Sequence, residues 1–114
     1  MKFTQHYINN QTISEYDSDA KLGTAQEFLQ MLMNAGTECV VVRQEDIDEK
    51  FFDLRSGIAG EMLQKVVNYR LRLAIVGDFS VYESKSLQAF IKESNHANAI
   101  AFVSSVEEAL RRLS

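Results

Sequence analysis

The stretch "SGIAGEMLQKVVNYRLRLAIVG", residues 56–77, decides the fold class because a helix pattern is followed at once by a buried-strand pattern. In the first part, apolar residues recur in pairs at every fourth position, which is the period of one helix face. The second part, "LRLAIVG", is almost continuously apolar, as in parallel strands that are covered on both faces. The stretch therefore predicts a helix over about residues 56–69 and, after it, a central parallel strand.

Three more helix patterns lie on either side of this stretch. In "TAQEFLQMLMNAG", Thr24 and Glu27 have the spacing of a capping box, and Gly36 can take the left-handed conformation that ends a helix. In "SVEEALRRL", Ser105 and Glu108 repeat the capping-box spacing. The segment "SLQAFIKESN" has its apolar residues on one face and predicts the remaining helix.

Four further segments have strand patterns. The runs "CVVVR" and "AIAFV" are short and apolar, and residues 3–9 and 12–17 alternate in polarity around an Asn-rich connection that suits a hairpin. After the hairpin, strands and helices alternate along the chain. This order predicts an α/β fold in a single domain, residues 1–114, with a mixed five-stranded sheet, a parallel centre and about four helices.

Composition narrows the class of protein. The net charge is -4 and the basic residues are scattered, whereas nucleic-acid binders usually carry a basic stripe, so we expect no nucleic-acid partner. No apolar run approaches the length of a membrane span, so we expect a cytoplasmic protein with no membrane partner. The single cysteine, Cys39, lies in an apolar run and is predicted to be a buried thiol.

Two local features add further expectations. Gly60 lies inside the predicted helix, where glycine costs about 1 kcal/mol relative to alanine, so it is expected to pack closely against a neighbouring element. The acidic segment "QEDIDEK", residues 44–50, is typical of a solvated face or of the first turn of a helix, and as a partner surface it would bind a basic patch.

Ligand sites of open α/β sheets lie at the carboxyl ends of the strands, which here selects residues 43–57, 77–86 and 104–105. In the first region, Ser56 and Gly57 stand where a helix begins. A serine there can cap the helix, accept a phosphate, or help to bind an anion, because the free N–H groups and the helix dipole favour negative charge. All three roles stay open at this point.

Charged and hydroxyl side chains near the same strand ends predict a cleft or recognition surface. Asp53 and Arg55 have a spacing that most often gives an exposed ion pair, although Arg55 can also bind two oxygens of an incoming acidic group. The next strand is followed by "GDFSVYESKS", which supplies Asp78, Ser80 and Tyr82. The two loops are expected to face one another.

Recognisable catalytic or metal-binding constellations are missing from the sequence. His6 and His96 have no Cys, His or carboxylate partners at ligand spacing, and neither a phosphate-binding glycine loop nor a nucleophile elbow occurs. We therefore expect no metal, no cofactor and no catalytic residue.

Three segments, "SGIAGEML", "RLAIVGDFS" and "FVSSVEEAL", resemble the STAS domain that sulfate transporters share with anti-sigma-factor antagonists. The resemblance spans about residues 20–113 in element order. Ser56, Gly57 and Ile58 fit the end of the family motif Asp-Ser-Ser-Gly plus an aliphatic residue, whereas Arg55 replaces the first serine. The resemblance implies a STAS-like fold. It also implies a phosphoacceptor role for Ser56, because that serine is phosphorylated by a partner kinase in regulatory members.

A second resemblance covers nearly the whole chain. The segments "FFDL", "GIAGE", "LAIVGDF", "ESN" and "EAL" are similar to an uncharacterised bacterial family, the domain of unknown function 4180. This resemblance implies a fold but no activity.

The sequence patterns and the two resemblances suggest two functions. The first is a non-enzymatic regulatory or protein-interaction module with an unidentified protein partner and a phospho-switch at Ser56. The second is a small-molecule or anion-binding protein, or an enzyme, that uses the strand-end cleft. A homodimer formed through an apolar surface or a strand edge, such as the N-terminal hairpin, is a third expectation.

Overall fold

The computed structural model describes residues 1–114 as one five-stranded sheet with four α-helices. The strands are β1 (Phe3–Ile8), β2 (Gln11–Tyr16), β3 (Cys39–Arg43), β4 (Arg72–Val76) and β5 (Ile100–Val103). The helices are α1 (Ala25–Ala35), α2 (Ile58–Asn68), α3 (Lys85–His96) and α4 (Val106–Leu113). The predicted α/β class, with a mixed five-stranded sheet and four helices, is confirmed.

The strands lie in the sheet in their chain order, β1-β2-β3-β4-β5. The pair β1–β2 is antiparallel, and every later strand runs parallel to its predecessor. The hairpin turn consists of Asn9 and Asn10, whose φ angles are 52° and 64°. Two residues with positive φ suit the right-handed twist of the strands, and asparagine tolerates this conformation better than most residues. The predicted hairpin is therefore confirmed, with boundaries shifted by about one residue.

The sheet separates two apolar cores. The larger core has 20 buried residues and lies between the sheet and helices α1, α2 and α3, and the smaller has eight and lies under α4. Alternate residues of β3 divide between them, since Val40 and Val42 belong to the larger core and Val41 to the smaller. Cys39 is 2% exposed in the smaller core, so the predicted buried thiol is confirmed.

The helix ends follow their sequence signals closely. Thr24 and Glu27 form both halves of the predicted capping box, and Gly36 ends α1 with a φ angle of 69°. At α4, the Ser105 hydroxyl accepts a hydrogen bond from the Glu108 N–H at 3.1 Å. The carboxylate of Glu108 contacts Ser104 instead of Ser105, so only half of that predicted box is present.

Three local features differ from the predictions. A Cβ added to Gly60 would meet nothing within 4 Å, so this glycine is exposed rather than closely packed. Helix α2 begins at Ile58, two residues later than predicted. The acidic segment 44–50 is not wholly solvated, because Ile47 is 1% exposed and pairs with Leu22 in an isolated parallel bridge.

Candidate functional site

The loops that follow β3 and β4 meet at the carboxyl end of the sheet and enclose a cleft of about 690 Å³. Its lining comes from residues 49–55 on one side and 82–86 on the other. The lining residues are Glu49, Phe52, Asp53, Leu54, Arg55, Tyr82, Ser84 and Ser86. Two of the three strand-end regions selected from the sequence thus form the cleft, and residues 104–105 do not line it.

An aromatic stack joins the two walls. The rings of Phe52 and Tyr82 lie 4.8 Å apart with an interplanar angle of 15°. Phe52 is only 4% exposed and also contacts Phe51 and Phe79, both at aromatic packing distances. The wall of the cleft is therefore continuous with the larger core.

A glutamine side chain, which the sequence reasoning missed, holds the loops together. The Gln44 amide nitrogen donates to the Tyr82 hydroxyl at 2.9 Å, and the Gln44 amide oxygen accepts from the Asp78 N–H at 2.9 Å. The Tyr82 hydroxyl in turn donates to the Glu49 carboxylate at 3.3 Å. We call the contacts of Gln44 with Asp78 and Tyr82 the Gln44 bridge.

Gly77 makes room for this bridge. A Cβ at position 77 would lie 2.3 Å from the Gln44 Oε1 atom and 2.6 Å from its Cβ. Any larger residue would therefore displace the glutamine or the backbone. The glycine directly after an apolar strand, in "AIVGD", was the only sequence signal of the bridge.

Asp53 and Arg55 form the exposed ion pair that their spacing predicted. The Arg55 Nε and NH2 atoms donate to the two Asp53 carboxylate oxygens at 3.1 and 3.2 Å, and the Arg55 side chain is 91% exposed. Hydrogen bonds from Arg55 hold the pKa of Asp53 below its usual value, and the same contact raises the pKa of Arg55. The guanidinium therefore stands free in solvent except for this one carboxylate.

Asp78 and Ser80, also predicted for the surface, do not line the cleft. The Asp78 carboxylate accepts from the Ser80 hydroxyl at 2.5 Å and from the Ser80 N–H at 3.1 Å. These bonds lower the pKa of Asp78 and stabilise the short turn that carries the loop past the strand. Of the five predicted surface residues, the cleft brings together Asp53, Arg55 and Tyr82.

Ser56 and Gly57 lie beside the cleft, in a segment that we call the Ser56 turn (residues 53–57). Ser56 is exposed, and its hydroxyl donates to the Lys50 carbonyl at 2.7 Å and accepts from the Ile58 N–H at 3.3 Å. The N-cap position of α2 is occupied by Gly57, with a φ angle of 80°. The serine thus contacts the first turn of the helix from one residue before the cap.

Comparison with known proteins identifies the family. Residues 8–113 match the family described as Domain of unknown function (DUF4180). The chain belongs to the DUF4180 family. The resemblance to this family that the sequence suggested is thereby confirmed. Neither the curated proteins nor the solved structures give a significant match.

The ionisable groups of this DUF4180 cleft are paired with one another. Besides the Asp53–Arg55 pair, Glu49 accepts from Tyr82, whose pKa is raised first by burial and further by the nearby Glu49 carboxylate. At neutral pH the Asp53 carboxyl is therefore charged and the Tyr82 phenol is neutral. The cleft offers paired charges, hydroxyl groups and aromatic surface.

The described side chains contain no cluster of metal ligands. No three His, Cys, Asp or Glu side chains lie close enough together to hold a metal ion. His6 contacts Glu15 at 2.8 Å on the sheet, and His96 ends α3. None of the helices has the length and apolar character that a membrane crossing requires.

Proposed function

We propose that this protein is a non-enzymatic regulatory module of the cytoplasm, which binds a protein partner through the strand-end cleft and the Ser56 turn. Phosphorylation of Ser56 is the switch in this proposal. The observation that carries it is the exposed Ser56 hydroxyl, which holds the Lys50 carbonyl at 2.7 Å beside the cleft wall.

A phosphate on Ser56 would change the turn in a defined way. The esterified oxygen has no hydrogen to donate, so the bond to the Lys50 carbonyl would be lost. A phosphate also adds a charge of about -1.5 to -2, which lies favourably near the first N–H groups of α2 but unfavourably near a carbonyl oxygen. The segment between Lys50 and Ser56 carries Phe52 and Arg55, so its release would alter the recognition surface.

The pKa values support recognition over acid–base catalysis. A general acid or base works best when its pKa lies near the operating pH. Here the pKa values of Asp53 and Asp78 are lowered and that of Tyr82 is raised, so each moves away from neutrality. These groups suit a surface of constant charge.

The proposal includes a STAS-like fold. It is supported by an antiparallel hairpin followed by parallel strands in chain order, and by a serine directly before the helix that follows β3. Short 3-10 turns, Glu49–Phe52 and Leu54–Ser56, lead into this serine. Arg55 remains a departure from the STAS motif, and in this proposal its guanidinium contacts an acidic group of the partner.

Phosphopeptide mapping of the protein isolated from its native cells tests the switch. We expect one phosphate on the peptide that contains Ser56. It should be absent from Ser56→Ala and present in Ser80→Ala, a control that removes an exposed hydroxyl from the neighbouring loop. Protein that carries no phosphate at this position under any growth condition would refute the switch.

Partner capture then separates a switch from a cap. Ser56→Asp and Ser56→Ala both lose the hydrogen bond that Ser56 donates to the Lys50 carbonyl, but only the Asp carboxylate can still accept from the Ile58 N–H, so Ser56→Ala should lose more stability. A switch predicts that only the charged variant changes the set of captured partners, whereas a cap predicts the same partners for both. Thermal unfolding of both variants provides the stability control.

A second candidate function, binding of a small anionic molecule, is favoured by the composition of the cleft. Its volume of about 690 Å³ lies within the usual range for small-molecule sites, and its lining includes a cation, two serines and the stacked Phe52–Tyr82 pair. Titration with inorganic phosphate and with benzoate, followed by amide chemical shifts, tests this candidate. Saturable shifts around the cleft that disappear in Arg55→Gln would support it, and shifts unaffected by that substitution would refute it.

A further inference from the structure

We propose that the outer edge of β1 is an interface at which a second copy of this chain pairs antiparallel, about a two-fold axis. The pairing would join two five-stranded sheets into one continuous sheet. This inference concerns the side of the sheet formed by the N-terminal hairpin. It does not depend on the function proposed for the cleft.

The backbone N–H and C=O groups of β1 face alternately toward β2 and away from it. The Lys2 carbonyl accepts from the Asp17 N–H at 2.9 Å, so Lys2 faces β2. Along an antiparallel strand this direction alternates from residue to residue. The N–H and C=O groups of Phe3, Gln5 and Tyr7 therefore face outward, and none of them has a hydrogen-bond partner.

The opposite edge of the sheet is protected in a way that β1 is not. At β5, the Asn95 side chain accepts from the Phe102 N–H at 2.7 Å and donates to the Phe102 carbonyl at 3.2 Å. One amide thus satisfies both outward groups of the residue, as a neighbouring strand would. Proteins usually block free edges with such devices, with lysine or with proline. Phe3–Ile8 contains none of them, and the one nearby lysine, Lys2, precedes the strand.

The side chains of β1 are compatible with a second copy. The strand "FTQHYI" contains no Lys, Arg, Asp, Glu or Pro, although the whole chain carries a net charge of -4. Pairing here would therefore place no like charges opposite one another within the strand. Tyr7 is 70% exposed and Met1 is 60% exposed, so this edge also carries large apolar side chains in solvent.

One register pairs all three outward-facing residues. In a two-fold antiparallel pair, opposite residues share a face of the sheet, and the outward-facing residues must be opposite one another. Several registers meet this condition, but Phe3, Gln5 and Tyr7 are all paired only when Gln5 lies opposite Gln5 of the second copy and Phe3 lies opposite Tyr7 of the second copy. Phe3 already contacts Tyr16 edge-to-face at 5.8 Å, so the incoming Tyr7 would extend an existing aromatic cluster.

Measurement of mass against concentration tests the interface. Sedimentation velocity from roughly 1 µM to roughly 1 mM should show a monomer that converts to a dimer. Gln5→Lys places like charges directly opposite at the axis and should leave a monomer throughout. Gln30→Lys, which adds the same charge on the exposed side of α1, should dimerise like the wild type. A wild-type protein that stays monomeric at all these concentrations would overturn the proposal, even if another protein's strand pairs with the edge.

Disulfide trapping tests the register and does not depend on the lysine variant. Opposite residues of a hydrogen-bonded antiparallel pair have Cα atoms about 5.5 Å apart, a distance that a disulfide can bridge. Mild oxidation should therefore link two copies of Gln5→Cys. Tyr7→Cys is the matched control, because its two substituted positions would lie about 13 Å apart along the strands. If only the Tyr7→Cys control is cross-linked, the register is wrong and the interface lies elsewhere. The same conclusion follows if the protein is dimeric but neither variant is cross-linked.

Discussion

The Gln44 bridge and the Ser56 turn lie at the same end of the sheet, but the bridge is closely packed by neighbouring atoms and the turn is not. The bridge uses both ends of one amide to join two loops, and Gly77 leaves no room for another atom. At the Ser56 turn, a Cβ added to Gly57 would meet nothing within 4 Å, and the side chains of Asp53, Arg55 and Ser56 are exposed.

This difference separates a fixed wall of the cleft from an adjustable one. The fixed wall depends on contacts between residues far apart in sequence, and a single substitution there should disturb both loops. The adjustable wall depends on local hydrogen bonds, which a change of charge can break without unfolding the sheet.

Gly77→Ala should destabilise the protein by about 1–3 kcal/mol, because the new Cβ overlaps the Gln44 side chain and overpacking costs this much. Urea unfolding monitored by circular dichroism measures the change. The same substitution at Gly60, where there is open space, is the matched control. An unchanged unfolding midpoint for Gly77→Ala would show that the bridge is not tightly packed.

Gln44→Ala should cost about 1 kcal/mol, since it removes the hydrogen bonds to Tyr82 and Asp78 while solvent can reach these partners. In this background Gly77→Ala should cost less than it does alone, because the overlapping amide group is gone, but it should still cost something, because alanine at position 44 keeps the Cβ atom that lies 2.6 Å from the new methyl group. A double-mutant cycle from urea unfolding measures the coupling. Strict additivity would contradict a direct contact between the two positions.

Gly60→Ala should stabilise the protein by about 0.4–1 kcal/mol, because alanine restricts the unfolded chain and favours the helix, and nothing obstructs its methyl group. Thermal unfolding would show a higher midpoint. A lower midpoint would indicate a neighbour that approaches this face of α2.

Arg55→Gln should give the smallest effect, a rise in the pKa of Asp53 toward its ordinary value, because hydrogen bonds from Arg55 are the main cause of its lowering. A carboxyl with a lowered folded-state pKa stabilises the fold above its unfolded pKa, and this contribution is lost as pH falls through the folded pKa. The variant should therefore lose less stability on acidification than the wild type.

Carboxyl carbon chemical shifts measured against pH follow Asp53 directly. Asp78 is the internal control, because its pKa is lowered by Ser80 and not by Arg55. A pKa of Asp53 that does not change in Arg55→Gln would mean that the ion pair is absent in solution.

Hydrophobic periodicity and capping signals were sufficient to predict the helices and strands of the fold. The four-residue spacing in α2 and the continuous apolar run of β4 show which faces of these elements are buried. Each pattern lies within a single helix or strand. Thr24 and Glu27 similarly bond to each other at the start of α1, and Gly36 ends the same helix. Such signals are local, so a sequence displays them directly.

The features that the sequence did not reveal depend on contacts across the chain. Gln44 is an ordinary polar residue until β3 and β4 bring it over Gly77, 33 positions later. Ile47 was hidden among acidic residues and is buried because it pairs with Leu22. The strand-end rule located the cleft, but the same rule could not decide which residues of each loop point into it.

The order of the strands has a consequence for the growth of the sheet during synthesis. Each strand pairs with the one that precedes it in the chain, so the sheet can be extended from the N-terminus as the polypeptide emerges. The hairpin comes first, every later strand adds to the same side, and Asn95 leaves the ribosome just before the β5 edge that it protects. Among the five strands of this sheet, the outer side of β1 is therefore exposed first, and none of the four later strands pairs with it.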